Sequence, residues 1–171
     1  KNIRDGKNKT RPDIQIDEIF EIDIDTDKSL LDEYCRQADF VFNFAGINRP
    51  KDNSEFMAGN FGFASELLDA LKMHNNKCPV MLSSSLQATL IGRYDSEYGR
   101  SKLAGENLLF DYAKQAGVKV FVYRFPNLFG KWCRPNYNSA VATFCYNMAH
   151  DFPIQVNDRN TEVELLYIDD L

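Results

Sequence analysis

The chain holds only two histidines and four cysteines among its 171 residues, and neither set is spaced for a metal. Cys35, Cys78, Cys133 and Cys145 lie far apart with no Cys-x-x-Cys pair. That argues against a zinc site or a disulfide scaffold, and for reduced thiols in a cytoplasmic protein. Positive charge is also scarce: 20 Lys and Arg stand against 25 Asp and Glu, the net charge is −5, and the basic residues are scattered. Global electrostatics therefore offers nothing to nucleic acid or to an anionic membrane surface. No apolar run approaches the roughly 20 residues that span a bilayer as a helix. Missing too is any Gly-x-Gly-x-x-Gly or Gly-x-x-Gly-x-x-Gly, the turn with which a nucleotide-binding α/β domain normally opens. The first residues, Lys1-Asn-Ile-Arg-Asp-Gly6, have the form of neither a signal peptide nor a native start.

What is present is ordinary globular material, 44% hydrophobic and 26% charged, enough for one core of a single domain. Residues 5 to 17 read as a polar loop around Gly6 and Pro12. Glu18 to Ile24 alternates apolar and acidic residues, as a strand does. Asp27 to Gln37 has helical spacing through Leu30, Leu31, Tyr34 and Cys35, with Thr26 or Asp27 as N-cap. Phe40 to Phe44 is a β-prone apolar run stopped by Ala45-Gly46. Asn60 to Met73 gives a second helix, and Pro79 to Leu82 a buried strand ending in Ser83-Ser84-Ser85. Glu97 to Gln115 reads as a long helix closed by Gly117, with Lys119 to Tyr123 a further strand. Beyond Gly130 the pattern loosens, leaving a helix over Asn138 to His150 and a strand over Glu162 to Ile168. Short strands alternating with helices predict an α/β fold with a parallel sheet, and such sheets bind ligands at the carboxyl ends of their strands. Those ends carry Asp23, Gly46, Ser85 and Arg124-Phe-Pro-Asn127.

Tyr98-Gly-Arg-Ser-Lys102 follows the serine run by thirteen residues. A tyrosine and a lysine four residues apart share one helix face, and the ammonium stabilises a phenolate. A hydroxyl from the end of the preceding strand completes a proton-transfer site for a sugar or alcohol carbon. The spacing alone is common by chance, so the surroundings decide.

Those surroundings resemble the extended short-chain dehydrogenase/reductases, the NAD(P)-dependent epimerase/dehydratase family that modifies nucleotide sugars. Asp39-Phe-Val-Phe-Asn-Phe-Ala-Gly46 is similar to the family's fourth strand and its Ala-Gly turn. Asn60-Phe-Gly62 resembles the start of the next helix, and Leu82-Ser-Ser-Ser85 the strand that delivers the catalytic Ser or Thr. Tyr98-Gly-Arg-Ser-Lys102 resembles the catalytic helix motif, and Arg124-Phe-Pro-Asn-Leu-Phe-Gly130 the segment Arg-x-x-Asn-Val-Tyr-Gly. The resemblance covers about residues 18 to 171. It implies a Rossmann-like sheet with flanking helices, cut before the first strand and its glycine-rich turn and cut again after Leu171. Residues 131 to 171 would begin the substrate-binding part. A narrower resemblance, through Ala45-Gly-Ile-Asn-Arg-Pro50, the stretch Arg124 to Asn138, and Gln155-Val-Asn-Asp-Arg-Asn160, is to the reductase part of bifunctional UDP-sugar epimerase/reductases of capsular polysaccharide synthesis. It implies reduction of a UDP-linked 4-keto-6-deoxy-N-acetylhexosamine with NADPH, in a homodimer whose chains carry a C-terminal cupin domain beyond these residues.

By the same resemblance Tyr98 donates a proton to the C4 oxygen, Lys102 lowers the tyrosine pKa and holds the nicotinamide ribose, and Ser85, or Ser84 beside it, binds the reacting oxygen. Asp23 and Ile24 would meet the adenosine, Phe44, Ala45 and Gly46 the cofactor backbone, and Phe125 the nicotinamide. A carboxylate at the ribose favours NAD, while the narrower resemblance favours NADP, and both stay open. Ser84, Asn127, Lys131 and Arg134 would contact the sugar nucleotide, with Arg49 at the edge of the site. Leu86-Gln87 stands where the family's 4,6-dehydratases carry Asp-Glu, which leaves reduction or C4 epimerisation. A dinucleotide sensor without activity has no use for the Ser, Tyr and Lys set. Because the glycine-rich turn is missing, residues 1–171 alone are expected to show no NAD(P)H binding at micromolar concentration. A calorimetric titration with tight binding would contradict this.

Overall fold

The computed structural model describes residues 12–47 and 49–171. The part of the expected loop that precedes Pro12, and Asn48 of the Ala45–Pro50 stretch, lie outside the described residues.

Asp27 caps the first helix, α1 (Lys28–Gln37), by accepting a hydrogen bond from Ser29 N, as its short carboxylate suits it to do. After it runs β1 (Val41–Asn43). The chain then turns into a continuous helical stretch of three parts: α2 (Ser54–Met57), a π turn (Ala58–Gly62) and α3 (Phe63–Met73). The helix thus begins ahead of Asn60, where the sequence pattern placed its start, because the residues before it lack apolar periodicity. β2 (Val80–Ser85) is followed by two short 3-10 turns, Leu86–Thr89 and Gly92–Tyr94. Ser96 then caps α4 (Glu97–Ala116) through Gly99 N at 3.0 Å, and Gly117 ends it in the left-handed conformation, φ 67°. β3 (Val120–Phe125) runs up to Pro126, whose missing N–H breaks the ladder before β4 (Asn127–Phe129). Ser139 caps α5 (Ala140–Ala149), and β5 (Leu165–Tyr167) closes the order.

β1, β2 and β3 form a parallel sheet in that order, with Val41, Val80 and Val120 in register across it. β4 and β5 pair in parallel as a separate two-stranded sheet. The architecture is therefore α/β with parallel sheets, as the alternation of strands and helices implied. The expected strand at Glu18–Ile24 is a correction. It has no ladder partner among the described residues. Phe20 instead stacks on Tyr34 of α1, ring centroids 4.5 Å apart, and the chain turns where Thr26 N donates to Asp23 O. Alternation marks a face to be covered, but a strand exists only with a partner.

One face of the three-stranded sheet carries α1, α3 and α4, and the core lies there: Cys35, Leu67, Leu68 and Leu71 against Val80 and Leu82, with Leu109 and Tyr112 beyond. Val41, Val120 and Val122 pack against the same cluster, obeying the period of two that sets alternate strand residues on one face. The opposite face presents half-exposed rings: Phe40, Phe42 and Phe44 from the β1 segment, with Phe121, Tyr123 and Phe125 from β3. Along the helix-facing columns the chemistry changes toward the carboxyl ends. Valine and leucine give way to Asn43, Ser84 and Arg124.

Burial pushes the Cys35 thiol up to about 11, with Cys78 and Asp32 adding to the shift. Cys78, 7% exposed, is raised for the same reason, whereas Cys145 is exposed. A thiol reagent should modify Cys145 at once and reach Cys35 and Cys78 only as the protein unfolds. Rapid labelling of all four under native conditions would contradict this packing.

Candidate active site

The turn after β1, the π turn, the end of β2 and helix α4 converge at the carboxyl ends of β1 and β2. The turn after β1 is shaped by Asn43, 5% exposed, whose Oδ1 accepts from Ala45 N at 3.1 Å. Beyond it, Asn60 in the π turn reaches back. Its Oδ1 accepts from Ile47 N at 2.9 Å, and its Nδ2 donates to Ile47 O at 3.0 Å and to Ser101 Oγ at 2.9 Å. Ser101, fully buried, in turn donates to Tyr98 O at 2.8 Å. A single amide thus ties the turn after β1 to the first turns of α4. A π turn re-aims the side chains of a helix, and here it directs Asn60 into the interior.

Gly46 lies against the same group. A Cβ at this position would stand 2.6 Å from Asn60 Oδ1 and 2.8 Å from Lys102 Nζ. The lysine tip could retreat; Asn60, fixed by its hydrogen bonds, could not. Glycine is required here by space.

Lys102 is 8% exposed, and its Nζ donates to Ser83 O at 3.2 Å and lies 5.8 Å from the centroid of the Tyr98 ring. Burial lowers its pKa. Tyr98 packs edge-on against Phe56, centroids 5.6 Å apart. Burial raises its pKa, and a side-chain hydrogen bond with Ser85 opposes that rise. The expected lowering of Tyr98 by Lys102 is therefore not what governs the phenol. Desolvation is the dominant cause and the Ser85 hydrogen bond opposes it, while the Lys102 ammonium is engaged by the Ser83 carbonyl. The phenol is protonated at neutral pH, the form a proton donor needs. Ser85 also accepts from Gln87 N at 3.2 Å, which fixes its rotamer at the strand end.

The structure brings Ser85, Tyr98, Lys102, Ala45 and Gly46 to one place. Ser84 is turned elsewhere, its hydroxyl donating to Glu106 Oε1 at 2.5 Å. Phe44 and Phe125 lie among the rings of the sheet's other face. Asp23 keeps its hydrogen bonds within its own turn, to Thr26 and to Ile24 N, and Ile24 is 91% exposed. Asn127 lies in β4 and bonds Glu164 O. Lys131 is ion-paired with Asp169 at 2.5 Å. Arg134 and Arg49 both stand over the ring of Tyr137, at 5.7 and 5.1 Å, and Arg49 Nε donates to Asn138 Oδ1. Sequence reasoning gave no role to Asn43, Asn60 or Glu106. Asn43 carried a signal, a lone amide inside an apolar strand. Glu106 carried a fainter one, a carboxylate four residues beyond Lys102 on the same helix face.

Residues 2–171 match the model of the NAD dependent epimerase/dehydratase family. The chain belongs to that family. Among its relatives, the UDP-2-acetamido-2,6-beta-L-arabino-hexul-4-ose reductase of Pseudomonas aeruginosa is 45% identical over 141 residues, 82% of this chain and 37% of that protein. The crystal structure of capsular polysaccharide assembling protein CapF from Staphylococcus aureus is 48% identical, with a TM-score of 0.75 over 90% of this chain and 40% of that one. UDP-glucuronic acid 4-epimerase from Bacillus cereus, solved in complex with NAD, is 25% identical, with a TM-score of 0.72 over 86% of this chain and 50% of that one. The chain thus spans about two fifths of the reductase and of CapF. Within the epimerase/dehydratase fold, the Tyr98–Lys102 helix and the Ser85 strand end meet at the carboxyl edge of the sheet, where ligands of open α/β sheets bind. Among the described residues no helix is long and apolar enough to cross a membrane.

Gly46→Ala should lower unfolding free energy by about 1–3 kcal/mol, the usual result of forcing atoms into a packed site. Chemical denaturation measures it. An unchanged midpoint would mean that the turn yields freely.

Proposed function

We propose that this chain carries the reductase site of a nucleotide-sugar enzyme that reduces the 4-ketone of a UDP-linked 4-keto-6-deoxy-N-acetylhexosamine for capsular or other surface polysaccharide. The observation that carries the reading is the assembled set of Ser85, Tyr98 and Lys102 beside Gly46, with Leu86-Gln87 after the serine. Reduction of a ketone needs one proton donor and one hydride. It needs no second acid/base pair. The name of the reductase relative, at 45% identity, supports the same chemistry.

The ketone oxygen would lie between the Ser85 hydroxyl and the Tyr98 phenol. Tyr98 gives its proton to that oxygen as the C=O bond becomes C–OH, and the residual phenolate is stabilised by Lys102 and by the Ser85 hydroxyl. Solvent then returns a proton to Tyr98. The nicotinamide cofactor, NADPH or NADH, supplies the hydride when bound. The residues fit its nicotinamide end. The buried amine of Lys102 would meet ribose hydroxyls beside the Ala45-Gly46 turn that packs against it, whereas Phe44 and Phe125, on the sheet's other face, stand away from this end of the cofactor. Asp23 and Ile24 would meet the adenosine end. Asn127, Lys131 and Arg134 would receive the sugar nucleotide, and Arg49 and Arg134, each over the Tyr137 ring, would offer guanidinium groups to its diphosphate. In the intact protein this site would belong to a homodimer with a C-terminal cupin domain.

In the full-length protein, Tyr98→Phe should reduce turnover by about 10²–10⁴-fold, the usual contribution of a general acid, while cofactor affinity stays unchanged. Undiminished turnover would sink the assignment. One NADPH should be consumed per ketone reduced; turnover of a UDP-sugar with no net NADPH loss would make the enzyme a C4 epimerase instead.

The reaction requires protonated Tyr98, so the rate should fall as pH rises through the tyrosine pKa, which burial sets above its ordinary value. Lys102→Met removes a cation that favours the phenolate, so the alkaline limb should move to higher pH as the rate falls. A limb moving to lower pH would contradict the role of Lys102.

A further inference from the structure

Glu106 is 1% exposed, and nothing in the proposed reaction uses it. Its Oε1 accepts from Ser84 Oγ at 2.5 Å and from Arg124 Nε at 2.9 Å, and its Oε2 accepts from Arg124 Nη2 at 2.6 Å. Ser84 and Arg124 are register partners on β2 and β3, so two adjacent strands grip one carboxylate of α4. Burying the Glu106 carboxylate is expensive, its partner Arg124 keeps its side chain 39% exposed, and an apolar replacement of a buried pair is often as stable. Stability therefore explains this arrangement poorly.

Its placement explains it better. Tyr98, Lys102 and Glu106 recur every four residues and lie along one face of α4. Each addresses one of the three serines in a row: Tyr98 the hydroxyl of Ser85, Lys102 the carbonyl of Ser83, Glu106 the hydroxyl of Ser84. Apolar contacts alone would tolerate a slide of the helix along the strand, because they are non-directional. Directed bonds to a buried carboxylate do not. We propose that Glu106, held by Ser84 and Arg124, is a positioning residue that fixes α4 along β2 and β3 so that Tyr98 meets Ser85. The proposal rests on the reductase reading for its consequence in catalysis, but not for its geometry.

The test uses the full-length protein with Glu106→Leu/Arg124→Met, which replaces the pair by apolar groups. The expected result is an unfolding midpoint at or above that of wild type, kcat lower by about 10–100-fold, the scale of a misplacement near 1 Å, and an unchanged KM for NADPH. Ionisation of Tyr98, followed by ultraviolet difference titration against Tyr98→Phe, should move to higher pH, because the phenol loses the Ser85 hydrogen bond. Wild-type kcat together with an unmoved Tyr98 titration would overturn the proposal. Should the double variant not fold, Ser84→Ala decides. A lower kcat with a raised Tyr98 titration supports positioning. An unchanged kcat and titration, or a raised KM for the UDP-sugar at constant kcat, overturns it. If the wild-type protein does not reduce the ketone, the reductase reading fails, while the Tyr98 titration still tests the role of Glu106.

Discussion

Everything at the candidate site depends on a change of chemistry along the helix-facing side of one small sheet. Near the amino ends of the strands, Val41, Val80 and Val120 anchor the apolar core with Leu68 and Leu71 of α3. One or two residue pairs further on, the same columns carry Asn43, Ser84 and Arg124. The aliphatic end exerts a force without direction, which gathers α1, α3 and α4 onto the sheet. The polar end exerts forces with direction, which decide where along the sheet each of them stops. Catalytic geometry requires the second kind, and it lies directly beside the first.

The burial of polar groups here is extensive but complete. Asn60, Ser84, Ser101, Lys102 and Glu106 are all buried, and each finds a partner; among the described residues no buried side-chain nitrogen or oxygen lacks one. Buried polar networks rigidify when every member is satisfied and destabilise when one is not. The same burial that raises the Tyr98 pKa therefore also holds the group in place. Electrostatic tuning and mechanical fixation come from one cause.

Much of this was legible in the residues, and what was not has a physical reason. Helix α4 was readable nearly from end to end because its periodicity and its terminal glycine are local signals. The serine run and the Tyr98–Lys102 spacing pointed to the candidate site, since both are short motifs on single elements. Glu18–Ile24 misled because strand pairing is a property of two segments, and only one was being read. Asn60 received no role because a π turn has no clear sequence signature, and its side chain acts on Ile47 and Ser101, 13 and 41 residues away. Glu106 escaped for a similar reason. Its meaning comes from Arg124, which lies on another strand.

The π turn at Ala58–Gly62 has a consequence for comparing this chain with others. A turn closed over five residues accommodates one more residue than a regular helical turn. A relative whose helix is α-helical throughout corresponds to this chain only with a one-residue gap placed inside a helix. Withholding that gap would rotate one side of the correspondence by about 100° around the axis. Asn60 would then be matched to a surface position, and an inward-facing amide would be mistaken for a variable one.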